Sequence, residues 1–218
     1  MLAPVLGQRT PFRLLTILGE AVGDNPPPLV DKFLDLIAPE KTEGGWVVLA
    51  GALARQRQDD PGRAFARCRD FIVTADVWYA TDIFGERVPG PALVADFAPS
   101  LELLSPWRQD ADRWVRRTVG VSVHFWAKRS LGAARLTDRA RALLVFLEPM
   151  FGEGDLDAVK GLGWGLKTLG RHYPGLLTDW LIRQLVRGRR PRRALLLRKA
   201  LTFLAEEQRT GIRAAGAP

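Results

Sequence analysis

Residues 159–171 read VKGLGWGLKTLGR. Extended to Leu156 and Tyr173, the segment has apolar residues at Leu156, Val159, Leu162, Leu166, Leu169 and Tyr173, three or four apart. That period is helical and predicts one buried stripe. Trp164 lies off the stripe, on the opposite face, with Lys160, Lys167 and Arg171 at i−4, i+3 and i+7. A large aromatic among three cations suits a flat or charged ligand better than it suits water.

The same period runs outward through the chain. Asn25 and Pro26 to Pro28 precede LVDKFLDLI; Asp60 and Pro61, an N-cap and N1 pair, precede GRAFARCRDFIV. Thr137 and Asp138 open the run ALLVFLEPMF, and Pro191 opens RRALLLRKALTFL. Breaks are predicted at Pro39 to Gly45, Pro89 to Pro91, Ser105-Pro106, Gly152 to Gly154 and Gly188. Strict apolar–polar alternation is rare, so strand signals are thin. Short amphipathic helices at a spacing of about 40 residues per pair predict an all-α fold, a right-handed α-solenoid of HEAT-like (armadillo-like) helix pairs. The plainer alternative is an irregular helical bundle. One domain is expected over residues 1–209, with a tail over 210–218 that frays.

The chain has 218 residues, 47% of them hydrophobic, which is enough for a substantial core. A formal net charge of +8 favours an anionic partner, nucleic acid or a membrane surface. The one cysteine, Cys68, excludes an internal disulfide and a cysteine-rich zinc site. It lies near the apolar positions Phe65 to Ile72 and reads as a small core residue. His124 and His172 are far apart and no HExxH occurs, so neither a metal nor an organic cofactor is expected. Arg9 and Arg13 interrupt the first apolar run, which makes a poor signal peptide. No stretch is long enough to span a bilayer. A cytoplasmic monomer is the expectation.

Three more segments share the anomaly of Trp164. In FIVTADVWYATDIFGERV, residues 71–88, a helix from about Ala75 would bury Val77, Ala80 and Phe84, and Trp78 and Asp82 then stand one turn apart on another face. In ADRWVRRTVGVSVHFWAKR, residues 111–129, Val115, Val119, Ser122, Val123 and Trp126 form the stripe. Arg113, Arg117, His124 and Lys128 face the other way, with Arg116 at the edge. Toward the C-terminus Arg183, Arg187, Arg189, Arg190, Arg192, Arg193, Arg198 and Lys199 occur with no acid among them, a solvated face or a phosphate-binding one. In a solenoid such faces line one concave surface, and its cations suit a nucleic-acid backbone. A protein-binding solenoid would not need this density of arginine. Asp82 is out of place in a phosphate-binding groove. It can serve as an ion-pair partner for an arginine such as Arg117, or it can stabilise positive charge on a ligand and orient a water.

At these residues the chain resembles a known family. WYATD (Trp78 to Asp82), WVRRT (Trp114 to Thr118) and VKGLGWGLKTLGRHYP (Val159 to Pro174) are similar to the three characteristic segments of the AlkD-like DNA alkylation-repair glycosylases. LGQRTPFRLL (Leu6 to Leu15) and LRKALTFL (Leu197 to Leu204) are similar to the opening and the C-terminal helix of that family, in the expected order. The resemblance implies a HEAT-like solenoid with a basic concave groove for double-stranded DNA. It implies hydrolysis of the N-glycosidic bond of positively charged N3- and N7-alkylated purines, without flipping the base into a pocket. Carried over by motif, the catalytic residues are Trp78, Asp82, Arg117 and Trp164. The DNA-binding cations expected around them are Arg113, Arg116, Lys128, Lys160, Lys167, Arg171, Arg190, Arg193 and Arg198. Two departures stand out: Tyr79, where relatives often carry a small or acidic polar residue, and an opening at the LGxxTP segment, where relatives usually carry a further N-terminal helical segment. The second sets an expectation of reduced activity or DNA affinity. A non-catalytic HEAT-like protein that binds damaged, distorted or branched DNA is the alternative.

Overall fold

The computed structural model describes residues 10–186 and 192–216, and among them every regular element is a helix. The chain groups into two compact units, residues 1–92 and 93–218. The first contains α1 (Phe12–Gly23), α2 (Pro27–Ile37), α3 (Glu43–Gln56), α4 (Pro61–Ala75), α5 (Trp78–Arg87) and most of α6 (Pro89–Ala95). The second contains α7 (Phe97–Leu104), α8 (Arg113–Ser130), α9 (Thr137–Leu147), α10 (Leu156–His172), α11 (Pro174–Val186), α12 (Arg193–Ala200) and α13 (Glu206–Ala215), joined in part by short 3-10 turns.

In the first unit the core sits around α3. Its residues Trp46 to Ala50, with Ala52 and Leu53, are buried on every side of the helix. Thr42 caps it by accepting the Gly45 N–H at 3.1 Å. α1 reaches α3 so closely that a Cβ on Gly19 would overlap the Val48 carbonyl oxygen, and one on Gly51 would stand 2.8 Å from the Thr16 carbonyl oxygen. Only glycine fits where two helix backbones meet at that distance. Asp60 caps α4 as its sequence predicts, accepting the Arg63 N–H at 2.9 Å. Cys68 is buried in α4, and desolvation pushes its thiol well above the ordinary range. α4 ends when Asp76 turns left-handed (φ 48°), so α5 starts at Trp78 rather than near Ala75. Val77 is the extended N-cap of α5, while Ala80 and Phe84 are buried as expected.

In the second unit α8 and α10 form the central pair. Asp112 caps α8 through the N–H groups of Trp114 and Val115 at 2.8 and 3.1 Å. Asp155 caps α10 through those of Asp157 and Ala158 at 2.8 and 3.0 Å. The glycine device of the first unit recurs here. A Cβ on Gly120 would overlap the Gly161 backbone, and one on Gly161 would stand 2.5 Å from the Arg117 carbonyl oxygen. The sequence read α10 as a helix with one buried stripe. Val159, Leu162, Leu166 and Leu169 form that stripe, but Gly161, Gly163, Gly165 and Gly170 are buried as well. α10 is therefore enclosed on most of its circumference. Leu156 is a correction: placed on the stripe by its spacing, it is 41% exposed. α9 starts at Thr137, as read. Residues beyond Arg209, expected to fray, continue α13 to Ala215 and bury Ile212. The predicted break at Gly188 and the helix start at Pro191 lie outside the described residues.

Candidate nucleic-acid interface

The seven tryptophans divide cleanly. Trp46, Trp107, Trp114, Trp126 and Trp180 are buried in the cores. Trp164 is half-buried and Trp78 is 56% exposed. The two that keep contact with solvent are the two whose helical faces were anomalous.

In the first unit Trp78 occupies the first turn of α5, with Tyr79 edge-on to it at a centroid distance of 5.9 Å and 87°. Asp82 follows one turn later and is partly exposed. The Thr81 hydroxyl donates to the Val77 carbonyl at 3.0 Å and holds this first turn to its cap. Several arginines of the unit are committed to carboxylates: Arg55 to Asp24 at 2.6 Å, Arg63 to Asp31 at 2.5 Å, and Arg67 to Asp31 and Asp35.

In the second unit α8 and α10 bring together Arg117, Trp164 and a group of cations. Arg117 is 7% exposed, and its stem runs over Gly161, where a Cβ would stand 2.7 Å from Arg117 Cγ. Its Nη1 donates to the Asp157 carbonyl at 3.2 Å. Arg113 is exposed and lies over the Trp114 ring at 4.9 Å. Lys128 is exposed on the last turn of α8. Arg116 faces elsewhere: it pairs with Glu153 at 2.7 Å and donates to the carbonyls of Asp110 and Ala111 at 2.7 and 3.0 Å. Its guanidinium ties the start of α8 to the α10 approach. Lys160 pairs with Asp157 at 2.9 Å. Lys167 and Arg171 each stand 5.1 Å from the Phe203 ring centroid. Arg193 donates to the Gly216 carbonyl at 2.9 Å, and Arg198 is exposed. Arg190 lies outside the described residues.

Three more residues join this group: Lys199 and His124, which the sequence puts on cationic faces without assigning them to the site, and Phe203, which it does not single out. Lys199 lays its stem across Gly163, with Cδ at 2.6 Å from the position of a Cβ there. Burial lowers its pKa, and repulsion from Lys167, Arg117, Arg198 and Lys160 lowers it further, so these five cations share one neighbourhood. Phe203 is an exposed aromatic beside two of them. His124 stacks on Trp164 at 4.0 Å and 24°, and its Nδ1 lies 2.7 Å from Thr168 Oγ1. Burial first, then Lys128 and Lys167, lower the His124 pKa to about 4, so the ring is neutral at pH 7. Thr168, four residues from Trp164, could have been found from helical spacing; that Lys199 and Phe203 meet α10 could not, because they come from other elements.

The charge is divided as sharply as the tryptophans. Residues 1–92 carry 10 Lys and Arg against 12 Asp and Glu, a formal net charge of −2. Residues 93–218 carry 22 against 12, giving +10.

The family model described as "DNA alkylation repair enzyme" matches residues 28–204, a span that contains Trp78, Asp82, Arg117 and Trp164. The chain belongs to that family. Membership gives this repair protein a role in DNA alkylation repair and DNA as its partner. No curated protein and no solved structure matches it significantly. Among the described residues of the repair protein, no helix is long and apolar enough to cross a membrane, and no group of three His, Cys, Asp or Glu side chains could hold a metal ion.

Proposed function

We propose that this repair protein is a DNA glycosylase that hydrolyses the N-glycosidic bond of positively charged N3- and N7-alkylated purines in duplex DNA. The observation that carries this reading is the sorting of the tryptophans. Five are spent on the cores, and the two left toward solvent, Trp78 and Trp164, sit beside a carboxylate and within a group of cations.

A cationic alkylated purine leaves as a neutral base, so it needs no acid to protonate it. Breaking the bond builds positive charge on the deoxyribose. In this reading Asp82 stabilises that oxocarbenium-like charge and holds the attacking water. Trp78 and Trp164 offer electron-rich ring faces to the cationic sugar and to its polarised C–H groups. Arg117 holds a flanking phosphate; its planar fork suits bidentate phosphate contact. Lys167, Lys199, Arg171 and Arg198 pair with no carboxylate among the described residues, which leaves them for the DNA backbone. The reaction is a simple hydrolysis without a Schiff-base step, carried out by a monomer whose helix pairs form a HEAT-like solenoid with a basic concave face.

The test is base release from a duplex bearing one N7-methylguanine. Wild type should release the base, and Asp82→Asn should lose about 10²-fold or more of that rate while keeping its DNA affinity. No release by either protein, with salt-sensitive binding by both, would replace the glycosylase with a non-catalytic DNA-binding module.

A further inference from the structure

Trp164 is tied to its own backbone by a closed circuit of three residues. The Thr168 hydroxyl donates to the Trp164 carbonyl at 3.1 Å. The same Thr168 oxygen lies 2.7 Å from His124 Nδ1, so the hydroxyl bridges the imidazole and the Trp164 carbonyl. The neutral imidazole oriented in this way lies on the Trp164 indole at 4.0 Å and 24°. His124 can reach it because α8 and α10 touch at glycines: a Cβ on Gly165 would stand 2.7 Å from the Gly120 carbonyl oxygen.

We infer that His124 is a positioning residue for Trp164: it covers one face of the indole with an uncharged ring and fixes the other face for the ligand. The kinetic part of this inference rests on the glycosylase reading; the geometric part does not. An exposed-face tryptophan ordinarily samples several rotamers. Here stacking sets the plane of the ring, and the bond to Thr168 sets the plane of the imidazole. A neutral ring is the suitable cover, because a cation stacked there would draw on the same π-electrons that the reading offers to a positively charged sugar. The nearby cations Lys128 and Lys167 help keep it uncharged.

Three variants separate the parts. His124→Ala removes the ring, His124→Phe keeps the stack but loses the tether, and Thr168→Val loses the tether alone. Two readouts are taken on the whole 218-residue chain. The first is the Trp164 indole N–H resonance in ¹⁵N-tryptophan-labelled protein, assigned with Trp164→Phe. The second is single-turnover release of N7-methylguanine from duplex DNA at saturating protein, with the affinity for that duplex measured alongside. His124→Ala should shift and broaden the Trp164 resonance and slow release about tenfold with affinity changed less than about twofold. His124→Phe should restore a sharp resonance and most of the rate; Thr168→Val should fall between. An unmoved resonance in His124→Ala, or a phenylalanine no better than alanine in a folded protein, would make His124 an ordinary core residue and overturn the inference. If the resonance responds as expected but wild type releases no base, the indole is held as inferred and it is the glycosylase reading that fails.

Discussion

The two units solve one packing problem in the same way and carry opposite charge. In residues 1–92, α1 meets α3 at Gly19 and Gly51; in residues 93–218, α8 meets α10 at Gly120 and Gly161. Each pair brings two helix backbones into contact and forms the centre of its unit. Around α1 and α3, however, arginines are neutralised by Asp24, Asp31, Asp35 and Asp59, whereas around α8 and α10 cations gather at Lys199, whose pKa is lowered by burial first and then by Lys167, Arg117, Arg198 and Lys160. Close glycine packing builds a rigid scaffold in both units. What differs is the use of the charge: spent on internal pairs in the first, and gathered into a group of five cations around Lys199 in the second.

The scaffold half of the comparison breaks with one methyl group. Gly120→Ala and Gly19→Ala each force a Cβ into a neighbouring helix backbone and should cost about 3 kcal/mol or more, read as a lowered midpoint in denaturant. Gly175→Ala, where nothing lies within 4 Å of the added Cβ, is the control and should be neutral or slightly stabilising. A mild Gly120→Ala would show that α8 and α10 are not held at glycine distance.

The charge half is sharpened by salt. For binding to undamaged duplex, Lys167→Ala and Lys199→Ala should each lower the slope of log affinity against log salt by about one. Arg63→Ala in the first unit should leave the slope alone, because Asp31 already holds that charge. Arg116→Ala belongs with Arg63→Ala: Glu153 occupies its guanidinium, so the loss should appear in stability and not in the salt slope.

A pH dependence of stability also follows from the second unit. His124 titrates near 4 when folded against 6.5 unfolded, so between those values the unfolded chain binds the extra proton. Its contribution to stability is therefore complete above about pH 6.5 and is lost as the pH falls toward 4. His124→Phe should flatten that part of the profile of unfolding free energy. His172, whose pKa burial also lowers, has the same sign and will remain.

Helix starts were legible wherever the instruction is local. Asp60 before Pro61 acts on an N–H group within one turn, so three or four residues decide that start. The exposure of Trp78 and Trp164 was legible too, because helical spacing puts them off the apolar stripes. Leu156 was misplaced because a period identifies a face and does not say where along the helix its cover ends. The burial of Gly161, Gly163 and Gly165 was missed because a hydrophobic pattern gives glycine no weight, although its missing Cβ is what lets α8 and α12 approach.

Sequence alone determined that the chain is helical, that its charge is basic and concentrated toward the C-terminus, and that Trp78, Asp82, Arg117 and Trp164 stand apart from the apolar stripes; all of these follow from short-range spacing and counting. Tertiary structure decided which cations are spent. Arg116 and Arg117 are neighbours in the chain, yet one finds Glu153 and the other is drawn over Gly161 toward Asp157. It also decided that His124 and Trp164, 40 residues apart, form a stack. An ion pair and a ring stack are set by atoms within a few ångströms, and which atoms those are depends on how two helices approach, something no periodicity within either helix records.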